Sequence, residues 1–207
     1  MAKSSKQWLR RHVTDPFVRK AKEQGYRSRA AFKLLDIDAR EKLLRPGAVV
    51  VDLGAAPGGW SQVAAGKVKP GGRVFAIDLL PIAPISGVTV LKADFRDEIL
   101  SRTLDGAKAD VVLSDLAPNM SGIPSIDQAR SLEMAIAAID FSQRTLKPEG
   151  AFIVKAFHGE AFEELLSLLS KTFARVKVVK PPASRGESSE TYLVARGLKR
   201  EASASPR

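Results

Sequence analysis

Lys155 sits in the run FIVKAF, residues 152–157, where Ile153 and Val154 favour a packed strand. Lysine is almost never fully buried without a partner. A carboxylate is therefore expected beside it, and an amine held in a cleft in this way can orient a hydroxyl group or take its proton. Four aspartates have comparable placements: Asp52, Asp78, Asp94 and Asp115 each lie at or near the end of a short β-branched run. In open α/β sheets the ligand binds outside the carboxyl ends of the strands. A lone aspartate at a strand end is often only a helix N-cap, but five such positions in succession predict one site.

The first of these turns, VVDLGAAPGGW over residues 50–60, suggests the ligand. Gly54, Gly58 and Gly59 let the backbone approach a bound molecule closely, while Asp52 sets a carboxylate below the turn. The spacing is not the G-x-G-x-x-G of dinucleotide folds. Asp78, 24 residues beyond Gly54, is placed to accept hydrogen bonds from ribose hydroxyls, and Asp94 to accept from an adenine amino group. Together these features imply S-adenosyl-L-methionine.

Positioning such a site requires alternating strands and helices. Residues 48–54, 73–78, 88–94, 109–115 and 151–157 read as strands, with the clearest helix between the last two at residues 131–146. Residues 162–173 give another helix and ARVKVVKP another strand. TYLVARG follows a loop too short for a helical crossover, so the final two strands are expected to be antiparallel. The expected fold is a Rossmann-like α/β domain: a seven-stranded, mostly parallel sheet with its last strand antiparallel and helices on both faces. Residues 1–46 are predicted to form a basic helical extension packed on the core, residues 47–197 the catalytic domain, and residues 198–207 a disordered tail.

The chain of 207 residues carries 33 Lys and Arg against 23 Asp and Glu, a net +10, and lacks cysteine. Residues 1–45 alone hold 13 basic and 5 acidic residues, or +8. Interleaved with Trp8, Phe17 and Tyr26, this charge suits a phosphate backbone. Arg27, Arg29, Lys180 and Arg185 are the candidate RNA contacts; Asn119 and Ser121 could touch RNA or form a turn. No metal site is expected, because thiolates are absent and only His12 and His158 could supply imidazole. With no apolar run long enough to cross a bilayer, the expectation is a cytoplasmic protein without membrane contact, and a monomer.

The motifs VVDLGAAPGGWSQ, IDLLPIAPI, ADFRDE, LSDLAPNMSG, IVKAFHGE and SSETYLVA, in this order, resemble the FtsJ/RrmJ family of AdoMet-dependent RNA ribose 2′-O-methyltransferases. The similarity runs from about Trp8 to Gly197, includes QGYRSRAAFKL, and is strongest to the bacterial 23S ribosomal RNA uridine enzymes. It implies catalytic roles for Lys33, Asp115, Lys155 and Glu190, with both carboxylates expected beside Lys155 once an antiparallel last strand brings Glu190 to that edge, and cofactor contacts from Gly58, Trp60, Asp78, Asp94 and Asp115. An indole at the start of a helix is equally suited to core packing. The resemblance also implies 23S rRNA in the large ribosomal subunit as partner, with tRNA or other RNA as the alternative substrate. A base N-methyltransferase would want an aromatic residue where SDLAPN has Leu116 and Ala117, and a nicotinamide oxidoreductase would need the missing glycine pattern.

Overall fold

The structure, a computed structural model, describes residues 15–97, 106–119, 121–184 and 188–199. Trp8, His12 and Arg185, and residues 200–207 of the expected tail, lie outside them.

Strands β1 (Val49–Leu53), β2 (Arg73–Asp78), β3 (Val88–Lys92), β4 (Ala109–Ser114), β5 (Leu146–Phe157), β6 (Phe173–Val179) and β7 (Glu190–Leu198) form one sheet in the order β3-β2-β1-β4-β5-β7-β6. β1 to β5 pair in parallel, and β7 inserts antiparallel to both β5 and β6. The antiparallel ending is as expected from the short loop. β5 starts earlier than the sequence suggests: Leu146 pairs with Ala109, the register then shifts, and Ala151 pairs with Val111.

Because strand side chains alternate between faces, the sheet has two cores. Val49, Val51 and Leu53 point to one side and join Phe75, Ile77, Phe152 and Phe141. That side is covered by α4 (Pro124–Thr145) and α5 (Glu160–Thr172). Val50 points to the other side and meets Val74, Leu113, Ile153 and Tyr192. Here α2 (Ala30–Glu41) and α3 (Gly59–Lys67) supply Ala31, Leu34, Ile37, Trp60 and Ala64. The N-terminal helical segment is thus part of the central core. The short α1 (Pro16–Glu23) is capped by the Asp15 carboxylate on the Phe17 N–H, with Pro16 at the first helical position.

α4 begins at Pro124, seven residues before the expected start. Proline suits a first helical turn, whose N–H groups lack intrahelical partners. At the other end of the chain β7 reaches Leu198, and the Lys199 N–H still bonds the Thr172 carbonyl, so order extends past the expected boundary at 197. None of the described helices is long and apolar enough to cross a membrane.

α2 must be held firmly, because it carries Lys33. Its C-terminal end is fixed by Asp38, only 4% exposed, whose Oδ1 accepts the N–H groups of Leu43 and Leu44 at 2.9 and 2.8 Å. Asp38→Ala would leave both donors unsatisfied, and each such buried group costs about 1–3 kcal/mol. Thermal unfolding of this variant is expected several degrees below wild type, about 2–4 °C per kcal/mol for a chain of this size. An unchanged melting temperature would show that water replaces the carboxylate.

Candidate active site

Parallel pairing of Ser114 with Val154 sets the next residues, Asp115 and Lys155, side by side at the carboxyl edge. Lys155 Nζ donates to the Asp115 carbonyl at 2.7 Å and lies 3.1 Å from its Oδ1. The antiparallel β7 places Tyr192 directly opposite Lys155 and Glu190 opposite Phe157. Two carboxylates were expected around Lys155. Instead, Glu190 pairs with Lys33, at 2.7 and 2.8 Å, and accepts a further hydrogen bond from Ser184 Oγ at 2.8 Å. The four residues therefore form two ion pairs, Lys155 with Asp115 and Lys33 with Glu190. The reason is register: Glu190 comes two residues before Tyr192, the partner of Lys155, and its carboxylate meets Lys33 of α2.

Tyr192 joins the pairs. Its hydroxyl donates to Asp115 Oδ1 at 2.7 Å, and Lys33 Nζ lies 5.6 Å from its ring centre. Burial, followed by the charges of Asp115 and Glu190, raises its phenol well above the ordinary range, so it remains a protonated donor. Sequence reasoning missed this residue. The available signal was the spacing of Glu190 and Tyr192, two apart on a strand and therefore on one face.

A cavity of about 290 Å³ opens outside the carboxyl ends of β1, β2 and β4, walled by Gly54, Asp78, Asp94, Phe95, Leu116 and Met134, among others. Gly54 has φ +69°, and a Cβ there would strike Leu116. Asp78 accepts the N–H groups of Ala56 and Leu80, both at 2.8 Å, which fixes its carboxylate at the rim. Asp94 is chelated by Arg96, whose side-chain hydrogen bonds hold the carboxyl below its usual range, so it is an acceptor. Gly58, at φ +104°, caps α3, where the N–H groups of the first turn lack intrahelical acceptors.

Other sequence-predicted residues are placed differently. The Trp60 indole does not line this cavity; it is 3% exposed, donates to the Ala30 carbonyl at 2.7 Å and packs on Tyr192. Any contact of Trp60 with a ligand here would come from its main chain. Arg27 donates to the carbonyls of Pro57, Ala83 and Pro84, clamping the glycine turn to the loop after β2. Arg29 pairs with Asp15 at 2.6 Å. Both guanidiniums were expected at phosphate and have internal partners instead. Lys180 is exposed and donates to the Ser188 carbonyl. Ser121 forms a turn, its N–H and Oγ both bonded to Asp127, and Asn119 offers its carbonyl to Arg130. The His158 ring packs on Phe162 at 4.7 Å.

The profile of the FtsJ-like methyltransferases matches residues 26–198. This chain belongs to that family. Among relatives of this FtsJ-like methyltransferase is ribosomal RNA large subunit methyltransferase E of Thiobacillus denitrificans, 54% identical over 94% of this chain and 90% of the relative. The protein of the same name from Marinobacter nauticus is 49% identical over 96% and 98% of the two chains. A solved Plasmodium falciparum structure, described as a ribosomal RNA methyltransferase, superposes with a TM-score of 0.75 at 29% identity, covering 84% of this chain and 98% of that one. A Streptococcus mutans structure described as a methyltransferase in complex with SAH shares the fold, with a TM-score of 0.52 at 12% identity over 82% and 96% of the two chains. Among the described residues of the FtsJ-like chain, no group of three or more His, Cys, Asp or Glu could hold a metal ion.

Beneath the glycine turn, Asp52 is 1% exposed and accepts from Ser61 Oγ at 2.6 Å. Burial raises its carboxyl from the ordinary 3.8 to about 7, against the lowering effect of the Ser61 hydrogen bond. A group raised in the folded state binds more protons folded than unfolded, so stability is lost as pH rises from about 4 through 7. Asp52→Asn removes this titration. Its melting temperature relative to wild type is expected to climb by several degrees between pH 5 and pH 8; a constant difference would show that Asp52 does not titrate there.

Proposed function

We propose that this enzyme transfers a methyl group from S-adenosyl-L-methionine to the 2′-hydroxyl of a uridine in 23S ribosomal RNA, within the large ribosomal subunit. The observation that carries the chemistry is the Lys155 amine fixed by Asp115 at the carboxyl edge of the sheet. The named activity of the relatives and the basic N-terminal segment support the substrate.

The cavity fits the cofactor on its own features. The Gly54 backbone leaves room where a Cβ would close it, two fixed carboxylates face the space, and the apolar walls suit a nucleoside. Asp78 would hold ribose hydroxyls, Asp94 the adenine amino group, and Gly58 and Trp60 would contribute main chain. Bound there, S-adenosyl-L-methionine supplies an electrophilic methyl group on a sulfonium.

The chain must align the 2′-oxygen and remove its proton, and alignment is the larger part. Lysine has three donors, and two directions on Lys155 are taken by Asp115. In the neutral amine the third direction carries the lone pair, which orients the 2′-hydroxyl and takes its proton as the oxygen accepts the methyl group. Asp115 fixes the direction of the amine, Tyr192 holds Asp115, and the Lys33–Glu190 pair braces the edge beside them. Lys180 and Arg185 are proposed phosphate contacts, and Arg27 and Arg29 add positive charge from their internally held positions. The enzyme is further proposed to act as a cytoplasmic monomer.

Labelled S-adenosyl-L-methionine and undermethylated large subunits test this reading. Wild type is expected to yield 2′-O-methyluridine after nuclease digestion. Lys155→Ala should lower the rate about 10²-fold or more, and Lys155→Arg, which cannot accept the proton, should do no better. Full activity of Lys155→Arg would leave only an orienting role. Transfer to tRNA but not to subunits would overturn the ribosomal assignment.

A further inference from the structure

α4 stands between two spaces. Arg130, Glu133, Met134 and Ala137 line the cavity assigned above to the cofactor. On another part of the helix, Gln128 and Ser131 face a separate cavity of about 310 Å³, bounded across from them by Phe157, His158 and Ser189. A narrow cleft shares Gln128, Ser131 and Phe157 with this cavity and has Lys155 in its wall. Cavity and cleft thus reach the end of β5 that carries Lys155, on a side of α4 distinct from the cofactor cavity.

Its rim is built. Asp127 accepts the N–H and Oγ of Ser121, both at 2.7 Å, and the N–H of Gly122 at 3.1 Å, folding residues 121–122 over the start of α4. On the opposite side the His158 N–H donates to the Ser189 carbonyl at 2.9 Å, tying the end of β5 to the loop before β7. Gly159 has φ +155°, and a Cβ there would run into the Gln128 amide, so the glycine leaves the space this side chain occupies.

Two polar groups at the cavity lack partners. Among the described residues, neither the Gln128 amide nor the His158 imidazole makes a hydrogen bond, although Gln128 is half-buried. Phe157 adds an aromatic wall, its ring centre 6.0 Å from Lys155 Nζ. An aromatic face beside an amide and an imidazole is the chemistry that holds an unstacked nucleobase, by stacking and by hydrogen bonds to its Watson–Crick edge.

We propose that this cavity seats the base of the target nucleotide, with Gln128 as the specificity-determining residue, so that the attached ribose stands at Lys155. The inference rests on the RNA 2′-O-methylation reading above and names its base subsite. The adjacent donor and acceptor of the amide match the N3–H of uracil and one flanking carbonyl, and His158 on the rim faces the remaining edge.

The test compares wild type, Gln128→Met, His158→Ala and the control Gln143→Met, an exposed position of α4 away from both cavities. Undermethylated large subunits are the substrate; KM and kcat, calorimetric affinity for S-adenosyl-L-methionine and melting temperature are measured for each. Gln128→Met is expected to lower kcat/KM for subunits about 10-fold, and His158→Ala to lower it less. Cofactor affinity and melting temperature should stay at wild-type values, which a merely structural role for Gln128 would not allow. The control should match wild type throughout. Active wild type with kcat/KM unchanged in both cavity variants would overturn this inference alone. Wild type that leaves subunits unmethylated would overturn the parent reading and this inference with it.

Discussion

Two lysines are held in the protein at the carboxyl edge of the sheet, their side chains only 7% and 8% exposed. A charge removed from water must find an opposite charge and hydrogen bonds, and removing one partner of such a pair costs about 3–5 kcal/mol. This requirement organises the molecule. Lys155 finds its carboxylate only because β4 and β5 are parallel neighbours, and Lys33 finds Glu190 only because β7 runs antiparallel between β5 and β6. It also explains why α2 is locked into the core by Leu34, Ile37 and the Asp38 cap. A loosely attached N-terminal arm could not hold the Lys33 ammonium opposite Glu190.

The same edge divides the work between two sides of α4. Toward β1 and β2 the walls are a glycine turn, two fixed carboxylates and apolar side chains, an arrangement for a nucleoside. Toward the ends of β5 and β7 they are Phe157, His158 and Gln128, an arrangement for a base. Asp115 and Lys155 lie where the strands beneath both spaces end. Arg27 has a related supporting role: by holding the carbonyls of Pro57, Ala83 and Pro84 it joins the glycine turn to the loop that follows Asp78.

Much of this was legible in the residues. β-Branched runs ending in Asp or Lys announced the strands and their carboxyl edge, where Asp78 and Asp94 line the cavity and Asp115 meets Lys155, while Asp52 is buried beneath the glycine turn. The short PPASRGESSE loop foretold an antiparallel final strand. What was not legible depended on register and side-chain direction. The division into two ion pairs turns on Glu190 lying two residues before the partner of Lys155. Tyr192 was passed over: its spacing from Glu190 puts both on one face of β7 but does not tell a buried phenol that bridges charges from one that only packs. Trp60 was matched to the cofactor by resemblance, and Arg27 and Arg29 to phosphate by the basic charge around them, whereas packing and internal acceptors claimed their side chains. The first two turns of α4 were lost because Pro124 reads as a breaker unless it is recognised as a helix start.

The central claim is that the two ion pairs act as one unit through Tyr192, and single-turnover methyl transfer measures it directly. Lys33→Met, Tyr192→Phe and the double variant would be compared on undermethylated large subunits at saturating S-adenosyl-L-methionine, with folding checked by thermal unfolding. If the pairs form one unit, each single change slows transfer and the double variant is hardly slower than the worse single one. Rate losses that multiply in the double variant would contradict the account, leaving two independent ion pairs of which only Lys155 with Asp115 serves the reaction.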